Sequence, residues 1–333
     1  MTSSTGPATP PPLFIVFNIG SGHGDASAVR ALFTQACAAA GRAVKLLVVD
    51  DPKRIGGVAR EAVRLAREVS GIVVAAGGDG TINAVAQATL GSGCAFGVLP
   101  QGTFNYFSRT HGIPADTAEA LQVLLHAAAV PVQVGLVNEQ LFLDNASLGL
   151  YPKLLEDREA WKRQLGRSRL VAFGAGLLTM LRGARSLRLH IEVQGQMHDV
   201  RTPTLFVGNN ALQLAQLGFP EAQAVGQGEL AAIMLRPVGR LRILALVLRG
   251  ALGQLGNADQ VLSFPFRELV VRRARGFGRR RVKVATDGEI TWQSQPLRFR
   301  VSPTALLLIR PAAAGVQGVQ RVQAVEGDKG GAP

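Results

Sequence analysis

Two segments of this chain have residue types and spacing that could do chemistry: Gly77-Gly78-Asp79-Gly80-Thr81-Ile82-Asn83 and Pro100-Gln101-Gly102-Thr103-Phe104-Asn105. Each follows a short apolar run, Gly71–Ala76 and Cys94–Leu99, of the kind that forms a buried parallel strand. The first leads straight into a helical pattern from Thr81 to Leu90. A strand that turns through glycines into a helix start leaves backbone N–H groups pointing outward. With about half a positive charge from the helix dipole, that arrangement suits a phosphate. Asp79 is the unusual member, because a carboxylate beside a phosphate repels it unless a metal ion or a proton transfer intervenes. A third glycine loop, Asn18-Ile19-Gly20-Ser21-Gly22-His23-Gly24, follows the apolar run Leu13–Phe17. Alone, Gly-Gly-Asp-Gly is as readily a tight turn. Loops of this chemistry on adjacent strand ends line a crevice at the carboxyl edge of an α/β sheet, where ligands bind.

The elements that must position these loops follow from the period of the apolar residues. Over residues 13–130 short strands alternate with amphipathic helices, which predicts a mainly parallel sheet with helices on both faces. Asp51-Pro52 opens one helix with an N-cap and a proline at its first position, and Val58, Ala62, Leu65, Ala66 and Val69 share a face. Ala-rich stretches at 26–40 and 115–129 give two more. After Pro131 the texture changes. Runs at Val132–Val137, Leu141–Asn145, Leu187–Val193, Thr204–Val207, Leu230–Met234, Leu269–Val271 and Leu297–Val301 predict an antiparallel β domain over 131–302. The Pro-rich leader 1–12 and the Gly/Ala/Gln-rich tail 312–333 read as disordered.

At its glycine loops the chain resembles the diacylglycerol kinase-like catalytic domain family, which includes bacterial soluble lipid kinases and sphingosine kinases. The resemblance runs from about Leu13 to Pro311 and rests on an ordered set of motifs. These are the Asn18 loop, Gly77–Asn83, Pro100–Asn105 with Phe107 and Arg109, the segment Phe142–Gly149, and Asp287-Gly288-Glu289. It implies an ATP-binding α/β domain followed by a β-sandwich-like lipid-substrate domain, with the active site in the cleft between them. Its last strand, here within 303–311 at Leu306–Ile309, would return to the first domain.

Moving the γ-phosphoryl group of ATP needs a phosphate cradle, a neutralising metal and a group that positions or deprotonates the acceptor. Gly20, Ser21 and Gly22, with Gly77, Gly78, Gly80 and Ile82, offer backbone donors; Asn18, Thr81, Asn83 and Thr103 offer side-chain donors, and Gly102 and Asn105 frame the second loop. Asp79 is the candidate for contact with the catalytic Mg²⁺, through water, because that ion keeps much of its hydration. The resemblance assigns the proton acceptor to Glu289, with Asp287 close by. Without that context Asp-Gly-Glu is a hairpin turn. Three positions depart from the family pattern. Many members carry an acid where this chain has Tyr106, an Asp at Gln133, and Asp-Gly at Gln227-Gly228, part of a structural magnesium site. Losing the carboxylate at Gln227 argues against that metal. The readings that compete with a lipid kinase are a NAD kinase-like enzyme with a soluble acceptor and a non-catalytic nucleotide- or lipid-binding protein.

Composition narrows the classes further. A chain of 333 residues with 47% hydrophobic content can bury a large core and splits readily into two domains. No apolar stretch is long enough to cross a bilayer, and the N-terminus lacks the pattern of a signal peptide. Cys37 and Cys94, each in an apolar setting, read as reduced thiols of a cytoplasmic protein. His23, His111, His126, His190 and His198 show no metal-ligand spacing, and no nucleophile elbow supports a hydrolase. The net charge of +13 is concentrated. Arg272, Arg273, Arg275, Arg279, Arg280, Arg281 and Lys283 stand together without an acid, and Lys162, Arg163, Arg167 and Arg169 precede an apolar stretch. Neither cluster has the interleaved aromatics of a nucleic-acid site. Each basic residue near an anionic bilayer is worth about 1 kcal/mol, which predicts peripheral association with the inner face of the membrane.

Overall fold

The computed structural model describes residues 10–21, 26–102, 104–149, 186–237, 239, 254, 256, 258–273 and 281–312. Five apolar segments of the N-terminal part form strands β1 (Leu13–Asn18), β2 (Val44–Val49), β3 (Ile72–Gly77), β4 (Ala95–Pro100) and β5 (Ala129–Val132). Helices α1 (Ala26–Ala39), α2 (Ile55–Glu68), α3 (Asp79–Thr89), α4 (Tyr106–Thr110) and α5 (Thr117–His126) lie between them. The strands are short and nearly all apolar because both faces of the sheet are covered. β1 and β3 are buried almost end to end. Phe33 of α1 meets Phe17 of β1 edge-on at 5.7 Å between ring centroids. α1 packs with α5 on one face, and α2 packs with α3 on the other.

The first sheet runs β2-β1-β3-β4-β18-β5, where β18 is Leu306–Ile309. β1 pairs in parallel with both β2 and β3, so the chain reverses its direction of winding between β1 and β3. Such a switch point opens a crevice at the carboxyl ends of the strands. All three glycine loops leave the sheet there, after β1, β3 and β4. β18 lies parallel to β4 and antiparallel to β5.

The remaining strands are β6 (Gly135–Val137), β7 (Gln140–Phe142), β8 (Asn145–Gly149), β9 (Leu187–Val193), β10 (Gln196–Thr202), β11 (Thr204–Gly208), β12 (Leu230–Leu235), β13 (Val261–Phe266), β14 (Glu268–Arg273), β15 (Arg281–Thr286), β16 (Glu289–Ser294) and β17 (Leu297–Val301). They form two antiparallel sheets, β10-β9-β14-β17-β6-β7 and β13-β12-β11-β8-β15-β16. Alternate residues of both point into one core, with Ile191, Leu269 and Phe299 from one sheet and Leu205, Leu230 and Val284 from the other. The result is a β-sandwich. Helices α6 (Ala211–Gln216) and α7 (Ala222–Val225) cover the outer face of the second sheet through Leu214, Phe219 and Val225. N-terminal parallel α/β and C-terminal sandwich agree with the expected fold class.

Two expected strands are broken. The run Val132–Val137 divides at Gln133-Val134, so β5 joins the first sheet and β6 the sandwich. The run Leu141–Asn145 divides at Leu143-Asp144, where the backbone N–H groups turn from the ladder to the carboxylate of Asp287.

Candidate active site

Gly78 caps α3 in an extended conformation, and Asp79 is the first residue of the helix. The neighbouring strand ends bring the second loop against it: Gly77 is level with Pro100, and the Gln101 N–H donates to the Gly77 carbonyl at 2.8 Å. At the closest point glycine faces glycine. A Cβ on Gly102 would stand 3.1 Å from Gly78 Cα and 2.7 Å from Asn105 Oδ1, so the two loops share one backbone surface.

Asn18 and Asn105 spend their side-chain hydrogen bonds on the loops themselves. Asn18 Nδ2 donates to Thr81 Oγ1 at 3.0 Å, while its Oδ1 accepts from the Gly20 N–H, tying the first glycine loop to α3. The Ser21 hydroxyl donates to the Asn18 carbonyl. Asn105, in a left-handed conformation with φ 48°, closes its loop by bonding Gly102 through both ends of its amide. Ile82 lies wholly in the first core, and its N–H is taken by the Gly78 carbonyl. Gly22 and Thr103 lie outside the described residues.

Asp287 and Gly288 form a two-residue turn between β15 and β16, both with positive φ (48° and 86°). That is the conformation two-residue hairpins favour and Asp-Gly tolerates. The turn delivers the Asp287 carboxylate into a cage of four donors. Leu143, Asp144 and Asn145 give their backbone N–H groups at 2.7, 2.8 and 2.9 Å, and Asn83 Nδ2 donates at 2.6 Å. Asn83 belongs to α3, so this carboxylate bolts the sandwich to the helix that starts at Asp79. Glu289, two residues on, is exposed, and its Oε1 lies over Gly80, where a Cβ would overlap it. Asp79, Gly80, Asp287 and Glu289 are thus drawn together from opposite ends of the chain.

The electrostatics mark the same place. Burial pushes the Asp79 carboxyl up, against the backbone N–H groups of Asn105 and of Asp79 itself. Its Oδ1 is buried and accepts no hydrogen bond among the described residues. An orphaned carboxylate oxygen beside glycine loops fits a hydrated divalent cation, which would supply the missing partner. Asp144 is a further acid at this place, hidden in the sequence within an apolar run. It is 5% exposed and accepts from Asn210 Nδ2 at 2.6 Å. Burial raises its carboxyl well above the usual carboxylate value, and the charges of Asp287 and Asp79 add to the effect.

The departures from the family pattern have neutral solutions. Tyr106 stacks on Phe104 at 6.0 Å, with the Arg109 guanidinium 5.8 Å from its ring centroid. Gln133 Nε2 donates to Asn209 Oδ1 at 2.8 Å and to the Glu229 carbonyl at 3.0 Å. Near Gln227 the backbone is satisfied by protein groups, the Ala224 carbonyl accepting from both Gln227 and Glu229. No three His, Cys, Asp or Glu side chains converge on one point among the described residues. Gln227 supplies an amide where the family's metal site has a carboxylate.

Comparison with known proteins defines the class. Residues 12–137 match the model of the diacylglycerol kinase catalytic domain, and residues 157–310 match that of the YegS C-terminal NAD kinase beta sandwich-like domain. The Pseudomonas putida protein named "Probable lipid kinase YegS-like" is 31% identical over 252 residues, covering 73% of this chain and 78% of that protein. Its Pseudomonas aeruginosa (strain UCBPP-PA14) namesake is 33% identical over 257 residues, 73% and 77% of the two chains. The match to the diacylglycerol kinase of Bacillus subtilis, 35% identical over 130 residues, spans 38% of this chain and 42% of that one. A diacylglycerol kinase structure from Bacillus anthracis superposes with a TM-score of 0.65 at 19% identity, covering 91% of this chain and 97% of the other. The chain belongs to the family of YegS-like and diacylglycerol kinase-like lipid kinases.

Proposed function

We propose that this chain transfers the γ-phosphoryl group of ATP to the hydroxyl of a lipid, diacylglycerol or a related one, in the cleft between its two domains. Family membership carries the ATP-dependent lipid kinase activity. The geometry supports the division of labour, and one observation carries it: Glu289 of the sandwich lies over the helix start that bears Asp79. Gly20, Gly77, Gly78, Gly80 and Gly102 keep the backbone close enough to receive phosphates, and the start of α3 supplies positive potential. Asn18, Thr81 and Asn105 hold those loops in register through the bonds described above. Asp79 would hold Mg²⁺ through water at its unpartnered Oδ1, and that ion supplies charge neutralisation for the triphosphate. Asp287 fixes the hairpin, so that Glu289 stands ready to accept the proton of the lipid hydroxyl.

The reading extends to the membrane surface. Arg272, Arg273, Arg281 and Lys283 are exposed on β14 and β15. Lys283 lies over the exposed ring of Trp292, 5.3 Å from its centroid, and a tryptophan with one apolar and one polar edge suits a lipid interface. Arg275, Arg279 and Arg280 lie outside the described residues.

Replacing the base tests the assignment. Glu289→Gln keeps the shape of the side chain and removes its basicity. The expected result is unchanged ATP affinity with phosphoryl transfer to lipid slowed by roughly 10²–10⁴-fold, the usual worth of a general base. Wild-type transfer by a folded variant would refute the role of Glu289.

A further inference from the structure

A cavity of about 330 Å³ lies where α4 and the strand ends of β5 and β18 meet the loop before α6. Its polar wall consists of Thr110, His111, Gln133, Asn209, Asn210 and Arg310, and no Asp or Glu lines it among the described residues. Most of that wall is already committed. Gln133 Nε2 bonds Asn209 and Glu229, Asn209 Nδ2 donates to the Leu143 carbonyl at 2.7 Å, and Asn210 Nδ2 donates to Asp144. The Thr110 hydroxyl donates to Asn210 Oδ1 at 2.9 Å.

Two donors remain uncommitted. The Nε of Arg310 is buried and has no hydrogen-bond partner among the described residues. The His111 ring is packed edge-on against Phe107, 4.6 Å between centroids. Burial and the nearby Arg310 charge lower its pKa to about 4, so at neutral pH it is an uncharged ring with one N–H to give. A buried guanidinium N–H without an acceptor among the described residues is unfavourable, and a carboxylate in the wall would have been the ordinary remedy. Among the described residues the wall supplies no counter-charge.

We propose that this cavity binds a phosphate-bearing ligand whose oxygens accept from Arg310 and His111. Arginine is well matched to phosphate, and the volume leaves room for a glycerol-sized substituent. The ligand can be a free phosphomonoester or the headgroup of a phosphomonoester lipid. The inference is independent of the reading of Glu289, since none of these residues belongs to the glycine loops or the Asp287 turn.

The test uses the full chain with a non-hydrolysable ATP analogue filling the glycine loops. Inorganic phosphate and glycerol 3-phosphate are titrated by calorimetry. Phosphatidylcholine vesicles with and without phosphatidic acid are compared by co-sedimentation. The expected result is binding of at least one of these phosphates, weakened about tenfold by Arg310→Met and less by Arg310→Lys, which keeps the charge but not the fork. His111→Gln, which leaves Arg310 in place, weakens it about threefold and serves if Arg310→Met does not fold. Binding of the soluble phosphates identifies a free ligand; binding of phosphatidic acid vesicles alone, still dependent on Arg310 or His111, identifies a headgroup. Absence of phosphate binding, or equal binding by wild type and the folded variants, overturns the proposal.

Discussion

Asp144 costs stability at neutral pH. Its carboxyl is buried beside the charges of Asp287 and Asp79, and only the Asn210 amide works in its favour. The folded state therefore binds its proton more tightly than the unfolded chain, where a carboxyl titrates near 3.8. An acid raised in this way contributes its stability below the unfolded value and loses it as pH rises through the folded one. Asp144→Asn should stabilise the metal-free protein at pH 7 by on the order of 1 kcal/mol, with the gain disappearing toward pH 3. Urea unfolding at both pH values measures it; a constant difference across pH would contradict the electrostatic origin. Acids that a fold retains at such a cost cluster at functional sites. Asp79 stood out in the sequence beside its glycines, while Asp287 and Glu289 were legible only through the resemblance of Asp287-Gly288-Glu289 to the family motif. Asp144 was not, since its only signal is a polar pair, Asp144-Asn145, interrupting an apolar run.

Among the elements, the contact between α3 and the β15–β16 hairpin decides whether the candidate site is assembled. Gly80 stands at that contact, and Glu289 Oε1 is the first atom an added methyl would meet. Gly80→Ala also removes a poor helix former, a change worth up to about 1 kcal/mol in favour of folding. Because the tip of Glu289 is free to swing aside, the variant should remain at least as stable as wild type. Its transfer rate should fall by roughly tenfold or more as the base is displaced. Thermal melting and kinetics on one sample separate the two effects; full activity would mean that Glu289 is not held where the site needs it. Element types were readable from period and composition, as α2 and β3 illustrate. Their ends were not always readable: β7 and β8 are separate strands because Asp287, more than 140 residues away in sequence, takes the N–H groups of Leu143 and Asp144. A hydrogen bond at that separation leaves no local trace.

For the whole molecule, part of the excess of basic residues is clustered in the sequence. Of the sequence cluster, Arg272 and Arg273 fall on exposed positions of β14, and Arg281 and Lys283 on exposed positions of β15 beside Trp292. Charge reversal at Arg281 and Lys283 should weaken binding to anionic vesicles by roughly tenfold or more at low salt, at about 1 kcal/mol for each basic residue removed. The effect should shrink as salt rises. Unaltered sedimentation with the vesicles would detach this surface from the membrane. The two-part architecture was legible in the change of texture after Pro131, while the seating of β18 between β4 and β5 depends on pairing across most of the chain. Among the described residues no helix is long and apolar enough to cross a membrane. The most direct measurement follows label from [γ-³²P]ATP with Mg²⁺, offering a total lipid extract in one reaction and NAD in another. Label recovered in an organic-soluble product is the predicted result. Label on NAD, or on neither acceptor while ATP remains bound, would contradict the assignment of a lipid kinase.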